Sequence, residues 1–135
     1  MVCFGKQKLV PLHYRLKSET RRFILSLFKK YTEAWNGRDI SAYLELHHDD
    51  YEMTFHSTGE VQKLEDFGYD EWADWMIASE IEQRRCLYEN TDLLVEHQII
   101  TYSSGDREAL MLVHLLKDGL LWRTESGATP LSHKD

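Results

Sequence analysis

Two histidines, His97 and His114, are the residues of this 135-residue chain best suited to proton chemistry. An imidazole titrates near neutral pH and can act as a general base or as a hydrogen-bond acceptor. Both sit in stretches that read as neighbouring strands, so they could converge on one cavity. Each could equally be a packing residue with a satisfied hydrogen bond. If His114 points inward, Leu112 and Leu116 share its face, and burial among them disfavours the charged form of the ring. The run His47-His48-Asp49-Asp50 holds metal-ligand residue types. Adjacent residues on a helix diverge by about 100°, and no second cluster sits at matching spacing, so no metal is expected. No Gly-rich phosphate loop, Ser-centred elbow or CxxC pair occurs, and no cofactor is implied.

A second group of residues is apolar and large. Trp35, Trp72, Trp75 and Trp122, with Tyr31, Met53, Phe55 and Met76, supply more aromatic and thioether surface than most cores of this size need. Most of it fills a core. In a sheet curved over helices that does not close completely, Trp35, Met53, Phe55, Trp72, Met76 and Trp122 suit a flat, hydrophobic ligand.

The elements that position these residues can be read from periodicity. Ile24, Leu27, Phe28, Tyr31, Ala34 and Trp35 follow helical spacing with Arg22, Lys29, Lys30 and Glu33 on the wet side. Ser18 is the expected cap of that helix and Asn36-Gly37 its stop, with Gly37 in the left-handed conformation. Asp39 caps a short second helix carrying Ile40, Tyr43, Leu44 and Leu46 inward. Tyr51–His56 then alternates, with Tyr51, Met53 and Phe55 on one face. After a turn at Ser57–Glu60, Val61–Leu64 returns as a short strand. A third helix starts at Gly68-Tyr69-Asp70, with Asp70 as cap, and runs to about Glu82. Strands are expected at Arg85–Asn90, at Leu93–Tyr102 with a bend near Val95–His97, at Glu108–Lys117 and at Leu120–Glu125. Asp118-Gly119 is a strong two-residue hairpin turn.

The stretch Tyr31–Glu60, a helix ending in aromatic-Asn-Gly-x-Asp, a short helix, a polar Asp-Asp and a strand, resembles the NTF2-like superfamily. That superfamily includes the ketosteroid isomerases, scytalone dehydratase and the SnoaL-type cyclases. The resemblance covers roughly Ser18 to Pro130. It implies an α+β roll (cystatin-like), with three N-terminal helices in the concave face of a strongly curved, mixed, mostly antiparallel sheet. It also implies a cone-shaped cavity for a small, mostly apolar molecule, and acid/base chemistry of the isomerase, dehydratase or cyclase type. A non-catalytic ligand-binding or dimerisation domain is the alternative, because the superfamily hosts many activities. By this resemblance Tyr31 takes the place of the isomerase's oxyanion donor. Phe55 falls where its general base would be and Met111 near its second donor, so steroid isomerisation is not expected. The His97 segment, Val95-Glu96-His97-Gln98, echoes one histidine segment of the dehydratase, whose partner histidine falls near Leu87. The candidate catalytic residues are therefore Tyr31, His97 and His114.

Length fits one domain, with residues 1–17 as an extension, 18–130 as the folded domain and 131–135 as a tail. Residues 1–30 hold eight Lys/Arg against one acid, net +7, and residues 31–135 hold eight against 22, net −14. An acidic body repels a phosphate backbone, so no nucleic acid is expected. No run reaches the roughly 20 apolar residues of a membrane span, and none of signal-peptide length follows the basic start. Cys3 and Cys86 are far apart and read as reduced thiols in a cytoplasmic protein. The run Ala109–Leu116, ALMLVHLL, does not alternate, which implies a strand buried on both faces. A second copy of the sheet, giving a homodimer, is the simplest cover, and the chain's own long loops are the other.

Overall fold

The structure, a computed structural model, describes residues 26–66 and 68–132. Helix α1 (Leu27–Asn36) begins after Ser26, whose backbone is extended and whose Oγ accepts from the Lys29 amide at 3.1 Å. That cap starts the helix afresh, which corrects the expectation of one uninterrupted helix from Ser18. Ser18, Ile24 and the expected extension 1–17 lie outside the described residues. The Phe28 amide, another donor left open by a helix start, is taken by the Glu89 carboxylate at 3.2 Å. Tyr31, Ala34 and Trp35 form the buried stripe.

The turn after α1 departs from expectation. Gly37 keeps a right-handed φ of −81°, and Arg38 takes the left-handed conformation at φ 53°. Arg38 is held there by donating from Nη1 to the Trp35 carbonyl at 3.0 Å. Glycine still suits position 37, because a Cβ there would meet the Glu33 carbonyl at a tight 3.2 Å. Asp39 caps α2 (Ile40–Glu45) by accepting from the Ala42 amide at 3.1 Å.

Strand β1 (His47–Phe55) follows at once, so His47-His48-Asp49-Asp50 belongs to a strand and not to a helix end. His47 turns inward, His48 faces Asp118 at 3.4 Å, and Asp50 faces Arg123 at 3.4 Å. Among the described residues no three His, Cys, Asp or Glu gather to hold a metal. Then come β2 (Val61–Lys63), a short 3-10 turn, α3 (Tyr69–Ala78), β3 (Glu80–Glu89), β4 (Leu93–Thr101), β5 (Arg107–Lys117) and β6 (Leu120–Leu131). Gly68, not Asp70, is the N-cap of α3; Asp70 sits in the first turn, where its charge complements the helix dipole. The helix stops at Ala78, so β3 starts at Glu80 rather than Arg85. β4 pairs with β5 in unbroken register from Leu93 to Thr101, without the expected bend at Val95–His97. β6 continues past Glu125 to Leu131. Asp118 (φ 56°) and Gly119 (φ 74°) make the expected tight turn, whose two positive φ values match the twist of the flanking strands.

The six strands form one sheet in the order β2-β1-β6-β5-β4-β3, with β1–β6 the parallel pair and the rest antiparallel. Register shifts interrupt β1–β6, β3–β4 and β5–β6; such bulges bend strands and sharpen their twist. The helices pack on the concave face over Cys86, Leu94 and Leu121. Among the described residues this is an α+β roll of three helices on a curved, mixed sheet. On the other face Met111 and Leu115 of β5 are 41 % and 42 % exposed, so within one chain the apolar run is fully covered on one side only. Cys86 is buried in the core, and Cys3 lies outside the described residues. No helix among the described residues is long and apolar enough to cross a membrane.

His47 lies at the join of α2 and β1, packed against Tyr43 and edge-on to Tyr51 with ring centroids 4.8 and 4.7 Å away. Its Nδ1 is 2.8 Å from the Tyr43 carbonyl, which can only accept, so Nδ1 carries the proton. Burial, opposed by that hydrogen bond, lowers its pKa from 6.5 to about 4. Between those two values the unfolded chain binds more protons than the folded one. The contribution of His47 is thus complete above pH 6.5 and is lost as pH falls toward 4. Unfolding free energy should drop by about 2 kcal/mol from this group between pH 7 and pH 5. In His47→Gln, urea titrations at the two pH values should show a pH dependence smaller by that amount. An unchanged dependence would place the titrating group elsewhere.

Candidate functional site

The inward positions of the sheet and the buried faces of the helices enclose a hollow of about 390 Å³. The two-residue period of a strand decides which side chains reach it. β1 contributes Tyr51, Met53 and Phe55, β6 contributes Thr124, Ser126 and Ala128, and β5 contributes Leu110, Leu112 and His114. Gln98 and Ile100 come from β4, and Ile81 and Arg84 from β3. Tyr31, Tyr43, Trp72 and Trp75 enter from the helices. Aromatic and aliphatic walls therefore surround a small set of polar groups.

Those polar groups are connected. Glu96, fully buried on β4, receives the Nε2–H of His114 at 2.9 Å and faces Arg84 Nε at 3.4 Å. Arg84 Nε donates to Gln98 Oε1 at 3.0 Å. A carboxylate only accepts, so Nε2 of His114 carries a proton, and Nδ1 shares a 2.6 Å hydrogen bond with the Thr124 hydroxyl, accepting when the ring is neutral. His114 is buried, and its ring stands edge-on to Tyr31 with centroids 5.9 Å apart. The Arg84 guanidinium lies 4.9 Å from the Tyr31 ring centroid and 5.6 Å from that of Trp35, both cation–π contacts.

Tyr31 and Tyr43 share one hydrogen bond between their hydroxyls at 3.2 Å. Burial, with Glu96 second, pushes the Tyr31 hydroxyl up to about 12, against the lowering influence of Arg84 and Tyr43. Burial raises Tyr43 as well, with the charge and hydroxyl of Tyr31 adding to it. Both are therefore protonated at neutral pH. One hydrogen serves the bond between them, and the other is available to a guest oxygen. Tyr51, also raised mainly by burial, is hydrogen-bonded to Thr124. Nearer the β4–β5 turn, Tyr102 donates to Glu108 at 2.6 Å.

Tyr31 and His114 come together, and Met53, Phe55 and Trp72 line the same hollow. Trp35 and Met76 are buried in the core beneath it, at 2 % and 1 % exposure, and do not line it. Trp122 also lies away from the hollow; Arg123 and Lys117 stand over its ring at 4.2 and 5.3 Å. His97 occupies an outward position of β4 opposite Met111, so the two histidines do not converge. Phe55 reaches the hollow, and Met111 faces away from it. Sequence reasoning missed Tyr43, Arg84, Glu96, Gln98 and Thr124. A signal existed for Glu96 and Gln98, which alternate with Leu94 and Ile100. Val95, His97 and Ile99 on the other face gave an equally plausible inward set.

No family model matches the chain, and no curated protein matches it. Solved structures do. An NTF2-like protein of unknown function from Cytophaga hutchinsonii aligns over 76 % of this chain and 87 % of its own, at 10 % identity and a TM-score of 0.62. A SnoaL-like protein of unknown function from Burkholderia thailandensis covers 75 % and 89 %, at 15 % identity and a TM-score of 0.58. A protein with a ketosteroid isomerase-like fold from Catenulispora acidiphila, solved in complex with trimethylamine, covers 75 % and 83 %, at 11 % identity and a TM-score of 0.53. Identities this low speak to fold alone, and in fold the agreement extends over three quarters of the chain. The chain has the NTF2-like fold.

Proposed function

We propose that this protein binds a small, flat, mostly apolar molecule in the hollow, with a polar oxygen of the ligand turned toward Tyr31. The observation that carries the reading is the hollow of about 390 Å³ itself, walled by Met53, Phe55, Trp72 and Trp75 and holding the protonated Tyr31–Tyr43 pair. A cavity in the size range of ligand sites, apolar with a few placed polar groups, is what such a molecule needs. Acid/base chemistry of the isomerase, dehydratase or cyclase type is the catalytic form of this proposal. Tyr31 is the donor to a developing oxyanion, and His114 is the base. Its lone pair at Nδ1 is engaged by Thr124, which also lines the hollow, so proton abstraction runs through that hydroxyl. His97 has no part in it.

One observation favours the non-catalytic alternative. Both nitrogens of His114 already have protein partners, and Phe55 supplies no carboxylate. A ligand-binding domain then remains. The two forms differ in one measurable respect, since only the catalytic one makes turnover sensitive to His114→Gln while binding persists.

A homodimer through the outer sheet face is part of the same proposal, supported by exposed Met111 and Leu115 on a central strand. Central strands with apolar residues toward solvent are a liability unless covered.

Two measurements test these readings. A flat apolar ketone or phenol should quench the fluorescence of Trp72 and Trp75, and Tyr31→Phe should weaken its binding by roughly 0.5–1.5 kcal/mol, one ordinary hydrogen bond. If a broad panel of such compounds changes neither fluorescence nor melting temperature, the hollow is not a ligand site. Light scattering during size exclusion should give about twice the 16.0 kDa chain mass, and Met111→Lys should shift the protein toward monomer. A monomer at micromolar concentration removes the dimer.

A further inference from the structure

Arg84 is placed inside the hollow by a departure from regular strand geometry. Ile81 and Arg84 both line it, yet residues three apart on a strand point to opposite faces. The register of β3 against β4 shifts between Glu82 and Arg85, and Gln83 between them takes φ 53°. A non-glycine residue in the left-handed region costs free energy of order 1 kcal/mol or more, and bulges re-aim side chains. The strain at Gln83 brings a cation inward that an unbroken strand would have turned outward.

Once inside, the guanidinium is hydrogen-bonded through Nε, and it also lies over the Tyr31 ring and interacts with that residue's hydroxyl. Nε faces Glu96 and Gln98. The terminal nitrogens Nη1 and Nη2 are buried and meet no hydrogen-bond partner among the described residues, although the side chain is only 7 % exposed. Buried donors without acceptors are costly, more so on a charged group. The free edge presents N–H groups in a planar fork, the shape that matches the two oxygens of a carboxylate.

We propose that the polar end of the ligand is a carboxylate, gripped bidentately by Nη1 and Nη2 of Arg84, so that the ligand class is a flat apolar monocarboxylic acid. The proposal rests on the reading of the hollow as a ligand site and specifies its chemistry. The spare hydroxyl hydrogen of the Tyr31–Tyr43 pair is a further donor nearby. Glu96 opposes a guest anion, but it lies on the Nε edge and is shared with the Nε2–H of His114, which leaves the terminal edge electropositive. The apolar walls then sort acids by shape, while Arg84 sorts them from neutral molecules.

The test uses a matched pair, a naphthalene carboxylate and its isosteric carboxamide, titrated calorimetrically into the full chain at pH 7. The carboxylate should bind about tenfold tighter or more, the span expected of a charge-assisted bond over a neutral one. In Arg84→Met that ratio should fall to about one. Should that variant fail to fold, Arg84→Lys keeps the charge without the fork and should lose several-fold of the preference. Equal binding of acid and amide to the wild type overturns the carboxylate assignment and leaves the ligand site standing. A preference that survives Arg84→Met overturns it too. Binding of neither compound overturns both.

Discussion

The molecule is organised around a carboxylate that has no access to water. Glu96 is fully buried in the middle of the sheet, and its charge is tolerated because Arg84 and His114 meet it from two sides. Removing either partner from such a site leaves an uncompensated charge in a low-dielectric interior, at a cost of about 3–5 kcal/mol in comparable cases. The requirement propagates outward. His114 must present Nε2 to Glu96, which leaves Nδ1 for Thr124 and sets the tautomer of the ring. Arg84 must face inward, and the bulge at Gln83 turns it there. Tyr31 and Trp35 then pack under the guanidinium, which ties helix α1 to β3. Replacing the set with apolar residues of equal volume could be neutral or stabilising. Stability alone therefore does not account for the arrangement.

Much of the fold was legible in the sequence because it follows local rules. Asp39 caps, Asp118-Gly119 turns, and Tyr51, Met53 and Phe55 alternate, each for a reason contained in a few neighbouring residues. What escaped was set by particular side-chain and strand contacts that periodicity does not show. Ser26 starts α1 where the apolar spacing alone suggested continuity. Arg38 rather than Gly37 takes the left-handed turn, because its guanidinium can reach back to the Trp35 carbonyl. Glu80–Arg84 looked like the tail of α3 and became a strand because β4 offers it a partner.

The candidate site was less legible for the same reason. Tyr31 and His114 stand out by residue type and by the face they occupy. On β4 both faces carry apolar residues, so nothing local separates Glu96 inside from His97 outside. Only the positions of the helices break that symmetry. Arg84 was harder still, since a period of two, applied with Ile81 inward, assigns it to the outer face. The bulge that reverses this carries no glycine or proline to announce it, only Gln83 in a strained conformation.

These features bear on what the hollow can do. Its walls are aromatic and its donors are fixed: a guanidinium edge and a tyrosine hydroxyl held protonated by burial. Donors outnumber free acceptors there: Glu96 gives Oε2 to His114 while its Oε1 faces Arg84 without a hydrogen bond, and Thr124 is engaged with His114. A guest that brings oxygens without hydrogens complements such a site, and one that brings only N–H or O–H groups does not. That asymmetry limits chemistry as well as binding. Negative charge developing on a guest oxygen meets stabilising groups already in place, whereas removing a proton from a guest carbon must recruit the one lone pair at His114 that Thr124 now occupies. Stabilising an oxyanion is therefore the easier half of any acid/base reaction for this protein, and abstracting the proton is the half that depends on relay through the Thr124 hydroxyl.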